Sequence, residues 1–535
     1  MTHPGHRRRR RTVRAAALLS TAVAASLSLS SCLVLPFVPQ DKGAGSGSGP
    51  TAGGGVPSPT TPQTPPSGTA GLDAFYGQRL DWATCTGGEC AKLKVPIDYA
   101  NPAGGSIELA LLRVPARSGG SRVGSLVVNP GGPGGSGVDY AKYANQIVGA
   151  DVRRSFDIVG FDPRGVGKSA PIDCLDDAAL DSFLGGDPTP DTPDEETAYI
   201  AASKQLADAC AAKNPQLIAH VSTVDAAKDM DVLLAALGEQ KLNFLGKSYG
   251  TYLGATYADL FPKLVGRMVL DGVVAPDLTS QEISLGQAKG FELATRQYVG
   301  DCVKSSSCPL GRSVDEGMKW IQDFLAGLDA QPIPVTDDQR VTKLTEGWGS
   351  MGIAAAMYDQ GAWPKLTTAL RAAKNGDGNA LMRLADSYAD RTPGGQYTNN
   401  IMEVIYAVNC LDKPDTADPK QVEANAVEAE KVAPTWGKFL AWGSVPCGVW
   451  PVKPTTQVHK VTAPGSGPIV VVGTTRDPAT IYEWSVRLRQ QLSNAVLITY
   501  DGDGHTAYTR SNSCVDKPID AYFVKGTVPQ DGLKC

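Results

Sequence analysis

The chain has 535 residues, 42% of them hydrophobic and 20% charged, with a formal net charge of −5. That length can bury a large core, or a core with an inserted subdomain, and the composition is that of a soluble globular protein. A mildly acidic chain with no long basic run beyond its first residues argues against nucleic acid as a partner.

The first elements are for targeting. Arg7 to Arg11 and Arg14 make a basic stretch, followed by small apolar residues from Ala15 to Ser31. That run is too short and too rich in alanine and serine for a membrane span. It ends in Leu29-Ser30-Ser31-Cys32, the pattern of a bacterial lipobox, in which Cys32 is lipidated and becomes the first residue after cleavage. An ordinary signal peptide that carries a cysteine is the alternative. Residues 1–32 are read as a signal peptide with lipobox, and residues 33–70, rich in Gly, Ser, Pro and Thr, as a flexible tether. The expected product is exported and either held to the outer face of the cell membrane through Cys32 or secreted.

Ten further cysteines follow Cys32, an even number that suggests disulfides in an exported chain. They fall in close couples, so neighbours are expected to pair: 85–90, 174–210, 302–308, 410–447 and 514–535. No C-x-x-C occurs, and only His220, His459 and His505 follow the targeting segment, so neither a metal nor any other cofactor is expected.

Short aliphatic runs then recur at Ile107–Val114, Ser125–Asn129, Phe156–Phe161, Leu242–Leu245, Arg267–Leu270, Pro468–Val472 and Ala495–Tyr500. Several are apolar throughout, as strands buried on both faces should be. Helical patterns such as Val224–Leu237 lie between them. The alternation predicts an α/β fold with a mostly parallel sheet. From Pro276 to Pro446 the rhythm changes to helices, including Gln281–Val299, Val314–Leu328, Met351–Asn375 and Asn379–Ala389. The expected architecture is a core of residues 71–275 and 447–535, interrupted by a helical cap insertion at 276–446.

Within this order, Gly246-Lys247-Ser248-Tyr249-Gly250 is a G-x-S-x-G pattern between the strand Leu242–Leu245 and a helix read at Gly254–Phe261. A strand, a sharp turn carrying Ser and then a helix is the nucleophile-elbow arrangement. Ser248 is the expected nucleophile. A base should follow it with an acid between. His220 precedes Ser248, and His459 leaves little room for an acid strand before it. His505, in a glycine-rich loop after Ala495–Tyr500, remains. Asp477, after the strand Pro468–Val472, is the favoured acid; Asp271, Asp501 and Asp503 are its rivals. Oxyanion donors are expected from the backbone N–H of Tyr249 and from the loop Leu126–Gly137, at Gly132 or alternatively Gly131. A near P-loop, Asp162 to Ser169, has an acidic residue where a phosphate site needs glycine, so it is read as a wall of the site instead.

Taken together, "LDWATCTGGECAKLKVPIDYANP", "GSLVVNPGGPGGSG", "FDIVGFDPRGVGKSAP", "NFLGKSYGTYLGATYADLFP", "RMVLDGVVAP", "VVVGTTRDPAT" and "GDGHTAY" resemble the secreted tripeptidyl aminopeptidases of actinomycetes. These belong with the prolyl-aminopeptidase-like serine peptidases of the α/β-hydrolase fold. The resemblance runs from about residue 75 to the C-terminus. It implies an α/β-hydrolase core with a cap, the same triad, an oxyanion loop at Pro130–Gly134 and an exopeptidase that releases short peptides, tripeptides among them, from free N-termini. Pro130 stands where relatives commonly have His, and the lipobox departs from freely secreted members. Recognition of a substrate ammonium calls for carboxylates in the cap, for which Glu282, Glu292 and Glu403 are candidates. A carboxylesterase or lipase with the same triad, and a non-catalytic peptide-binding lipoprotein, are the rival readings.

Overall fold

A computed structural model describes residues 71–117, 121–454 and 456–535. The expected signal peptide, Cys32 and tether lie outside the described residues. Three antiparallel strands begin the sheet: β1 (Ala83–Cys85), β2 (Gly88–Pro96) and β3 (Ser106–Val114). They are followed by β4 (Gly124–Asn129), β5 (Phe156–Phe161), β6 (Leu242–Lys247) and β7 (Val265–Asp271). A small separate hairpin joins β8 (Ile333–Pro334) to β9 (Lys343–Leu344). The sheet then closes with β10 (Ile469–Arg476), β11 (Ala495–Asp503) and β12 (Leu533–Lys534). The strand order is β1-β2-β3-β5-β4-β6-β7-β10-β11-β12, and every pair from β5 onward in that order is parallel.

The apolar runs explain the strands. All six residues of β4 and of β5 are buried, because helices cover both faces of the sheet. Alternate side chains go to opposite sides: Val127, Phe244 and Met268 join one core, while Leu126, Val128, Leu245 and Val269 join the other. Each fully buried aliphatic side chain contributes roughly 1.5–3 kcal/mol. β2 was not legible as a strand, because Lys92 and Lys94 alternate with buried Leu93 and Val95 and leave no continuous apolar run.

The order also fixes where chemistry can occur. From β4 the chain goes to β5 on one side and then crosses to β6 on the other. This reversal opens a crevice at the C-terminal ends of β4 and β6, the place where open parallel sheets bind ligands.

Between β7 and β10 the chain is mainly helical, with long helices at Ser280–Cys302 and Val314–Ala330. These helices share a separate core that includes Phe291, Tyr298, Ile321, Trp348, Leu381 and Trp436. Leu180 and Leu184, from a helix before β6, join that core. The helix Ile401–Asp412 instead packs Val404, Ala407 and Leu411 into the sheet-side core. The pattern read as one helix over Met351–Asn375 is two helices, Glu346–Met357 and Trp363–Lys374. Pro364 lies in the first turn of the second, where its missing N–H costs nothing, so the chain breaks at Tyr358–Ala362.

All five expected neighbour disulfides are formed: 85–90, 174–210, 302–308, 410–447 and 514–535. They fit a chain that matures outside the reducing cytoplasm. Among the described residues no helix is long and apolar enough to cross a membrane.

Candidate active site

Ser248 directly follows β6 and caps the helix Tyr249–Leu260, which begins five residues earlier than its pattern suggests. Its backbone has φ 57° and ψ −128°, a strained conformation for a residue with a Cβ. Such strain costs on the order of 1–3 kcal/mol and survives only where the surroundings enforce it. They do so here. Ser248 N–H donates to Asp271 O at 3.0 Å, while its own carbonyl accepts from Thr251 N–H and Thr251 Oγ1. The flanking glycines are steric requirements. A Cβ on Gly246 would lie 2.2 Å from Gly250 O, and one on Gly250 would lie 2.8 Å from Asn129 O. The helix N-terminus behind Ser248 supplies positive potential where negative charge would develop.

Asp477 follows β10 and His505 follows β11, both fully or nearly fully buried. His505 Nδ1 lies 2.8 Å from Asp477 Oδ1 and 2.9 Å from Oδ2. The Asp477 carboxylate also accepts from the backbone N–H groups of Ala479, Thr480 and Thr506. Thr480 Oγ1 stands 3.4 Å from His505 Nδ1. The rival acids are engaged elsewhere. Asp501 and Asp503 pair with Arg476, at 2.6 and 2.8 Å. Asp271 accepts from the N–H groups of Ala507 and Tyr508.

Tyr358, at the break between the two helices, covers the imidazole. Its ring meets that of His505 edge-on, 5.2 Å between centroids, and its backbone carbonyl accepts the backbone N–H of His505 at 2.9 Å. The single helix read over Met351–Asn375 thus hides the residue that the helical layer lays on the imidazole.

The glycine loop after β4 runs against the elbow. A Cβ on Gly131 would lie 2.8 Å from Ser248 Cβ and 3.1 Å from Tyr249 N. Gly131 and Gly132 both have φ above 100°, open to glycine alone. Gly131 N–H donates to Asn129 Oδ1 at 3.0 Å, which commits it within the chain. Gly134 is covered by Ile401 and Val404 from the helix Ile401–Asp412. The Tyr249 hydroxyl meets Thr223 Oγ1, which donates to Asp412. Burial pushes the Asp412 carboxyl up to about 7.

The near P-loop is folded inward. Asp162 accepts from Ser136 Oγ, Val138 N–H and Lys168 N–H, and Arg164 is paired with Asp229 at 2.6 Å with both side chains buried. Asn400 bridges this loop to the helical layer through Gly165, Gly167 and Ile172.

The three candidate carboxylates for a substrate ammonium serve the fold. Glu282 completes a capping box with Thr279 and pairs with Arg487 at 3.2 Å. Those Thr279 hydrogen bonds first, and then Arg487, hold its carboxyl below the usual range. Glu292 accepts from Thr435 N–H and Oγ1, and Glu403 from the N–H groups of Cys174 and Leu175. Burial raises both. A cleft of about 440 Å³ is lined by Glu282, Lys289, Asp477, Trp484 and Arg487; Ser248 and His505 do not line it.

The fold defines the class: this is an α/β hydrolase. Residues 124–314 match the family model described as alpha/beta hydrolase fold, and residues 433–535 the one described as TAP-like protein. The chain is 40% identical over 486 residues to Serine protease Hip1 of Mycobacterium tuberculosis, covering 86% of this chain and 91% of that protein. It is 38% identical over 458 residues to Carboxylesterase B of the same species, covering 83% of this chain and 86% of that protein. Against Tripeptidyl aminopeptidase of Streptomyces lividans it is 33% identical over 476 residues, covering 85% of this chain and 86% of that protein. The chain belongs to this family of α/β-hydrolase serine enzymes, as the resemblance read from its motifs implied.

Proposed function

We propose that Ser248, His505 and Asp477 form an acyl-transfer triad in a serine exopeptidase that releases short peptides, tripeptides above all, from free N-termini. The observation that carries this reading is the His505–Asp477 bond at the sheet edge that also bears the strained Ser248 turn. Relatives named as a serine protease and a tripeptidyl aminopeptidase support the peptide substrate. In this mechanism His505 takes the Ser248 proton as Oγ attacks the scissile carbonyl. Asp477 holds the tautomer with the proton on Nδ1 and stabilises the imidazolium that forms. The tetrahedral oxyanion is held by the backbone N–H groups of Tyr249 and Gly132, with the helix N-terminus behind them. The leaving amine takes a proton from the imidazolium, and water, activated by His505, clears the acyl-enzyme.

The helices between β7 and β10 act as the cap, with Tyr358 and the helix Ile401–Asp412 as its contacts to the site. The leader directs export, and Cys32 carries the lipid that holds the enzyme outside the membrane. A second reading, a carboxylesterase, has the support of a relative so named. Turnover of tripeptidyl p-nitroanilides beside short p-nitrophenyl esters separates the two. The peptidase reading expects release from unblocked tripeptidyl amides and little from N-acylated ones; ester turnover with no amide turnover would overturn it.

A further inference from the structure

We propose that Lys247 and Asp271 are a positioning pair that locks the loop carrying His505 to the turn carrying Ser248. This rests on the reading of Ser248, His505 and Asp477 as the triad.

The two residues end adjacent parallel strands and face each other in register. β7 lies between the nucleophile strand β6 and the acid strand β10, so Asp271 sits between the two halves of the site. Its carbonyl accepts the Ser248 N–H at 3.0 Å. Its carboxylate accepts from Ala507 N–H at 2.9 Å and Tyr508 N–H at 2.9 Å. One residue therefore holds the nucleophile's backbone at one end and the backbone just past the base at the other. Lys247 completes the clamp: Nζ donates to Tyr508 O at 2.7 Å and stands 3.7 Å from Asp271 Oδ2.

Both residues are buried, at 5% and 0% exposure. Burying two charges costs several kcal/mol per ion, and an apolar pair would hold two strands together as well. What an apolar pair could not do is bond the backbone of residues 507–508. That backbone needs holding. Thr506 and Thr509, on either side, have φ 66° and 63°, conformations that survive only when neighbouring contacts enforce them.

The groups facing the pair come from three segments: the loop after β11, the helix Ser513–Lys525, whose Asp516 faces both residues, and the helix Gly137–Lys142. Asp271 faces Lys247, His505, Asp516 and the hydroxyl of Tyr140; Lys247 also faces Arg510. Burial drives Lys247 down to about 8 and drives Asp271 up, while their mutual attraction opposes both. A positive charge on His505 would in turn favour the anion of Asp271.

The test is the pH dependence of inactivation by diisopropyl fluorophosphate, read as adduct on Ser248 by mass spectrometry. It needs no peptide substrate. Asp271→Asn leaves Lys247 uncompensated, so the acidic limb should move to lower pH, with a rate at pH 8 roughly 10- to 100-fold below the parent's through misplacement of the base. Lys247→Met leaves Asp271 uncompensated, so the limb should move to higher pH. Shifts of at least about half a unit are expected, and the double variant should return towards the parent limb. Unshifted limbs in folded variants would overturn the pair while leaving the triad intact. An unlabelled parent would remove both. Hydrogen exchange in the parent needs no variant: the Ala507 and Tyr508 amides should open only with global unfolding, and rapid exchange at both would contradict the clamp.

Discussion

The sheet edge and the helical layer bury charge in different ways. At the sheet edge each buried anion is met by neighbouring donors and a nearby cation or imidazole: Asp271 by two amides and Lys247, and Asp477 by three amides and His505. In the helical layer the anions outnumber the cations. Arg391, fully buried, is shared by Asp181, Asp338 and Asp386. Glu346 faces Thr189 and the acidic groups of Asp187 and Asp329, and burial with that repulsion pushes it up to about 8. Asp386 is pushed up to about 7, chiefly by burial. At the edge each charge has a close opposite partner, although burial still brings Lys247 down to about 8. The layer above it holds protons that it can lose within the neutral range.

The largest effect that would break this contrast is at the nucleophile. Ser248→Ala should abolish steady-state amide hydrolysis, by roughly 10⁵- to 10⁶-fold in kcat, with the melting temperature unchanged or raised as backbone strain is kept and little packing is lost. Asp477→Asn should follow at about 10⁴-fold in kcat, because the amide presents the wrong partner to Nδ1 and the imidazole takes the wrong tautomer. A smaller loss would mean that Asp501, Asp503 or Asp271 can substitute. Next comes Arg391→Met, which takes the shared cation from Asp338 and Asp386 and leaves Asp181 with Arg340. It should destabilise the protein by about 3–5 kcal/mol in urea unfolding. If the two regions unfold separately, the transition will split and Ser248 will still label below the second midpoint.

The smallest effect concerns pH. Glu346 has a folded pKa above its unfolded value, so the folded state binds the extra proton. That stabilisation is fully present below the unfolded value, about 4.3, and is lost as pH rises to about 8. Glu346→Gln should therefore flatten the decline in stability between pH 5 and 8, measured by urea midpoints at each pH. An unchanged slope would assign the decline to Asp386 or Asp412, which share that direction.

Much of the sheet was legible because its strands are buried on both faces. β4, β5 and β6 are mainly apolar, broken by Ser125, Asp157 and Asn243, and their ends lead into the glycine loop, Asp162 and Ser248. The disulfides were legible because each couple is close in sequence. Other features were hidden for physical reasons. Lys247 sits in the motif's variable position, and nothing local says that a lysine there points inward to Asp271 and Tyr508. A charged residue closing an otherwise apolar strand was the available signal. Tyr358 was lost inside a pattern that reads as one helix, although Trp363-Pro364 marks a helix start. Glu282, Glu292 and Glu403 drew attention as cap carboxylates, yet one carboxylate can cap a helix or hold a loop as readily as it binds an ammonium.

The central claim is that Ser248 carries the acyl group, and covalent labelling tests it most directly. Native protein treated with a fluorophosphonate should gain one adduct, mapped by peptide mass spectrometry to the segment containing Ser248, and Ser248→Ala should gain none. An adduct on another residue, or none on the folded protein, would contradict the account.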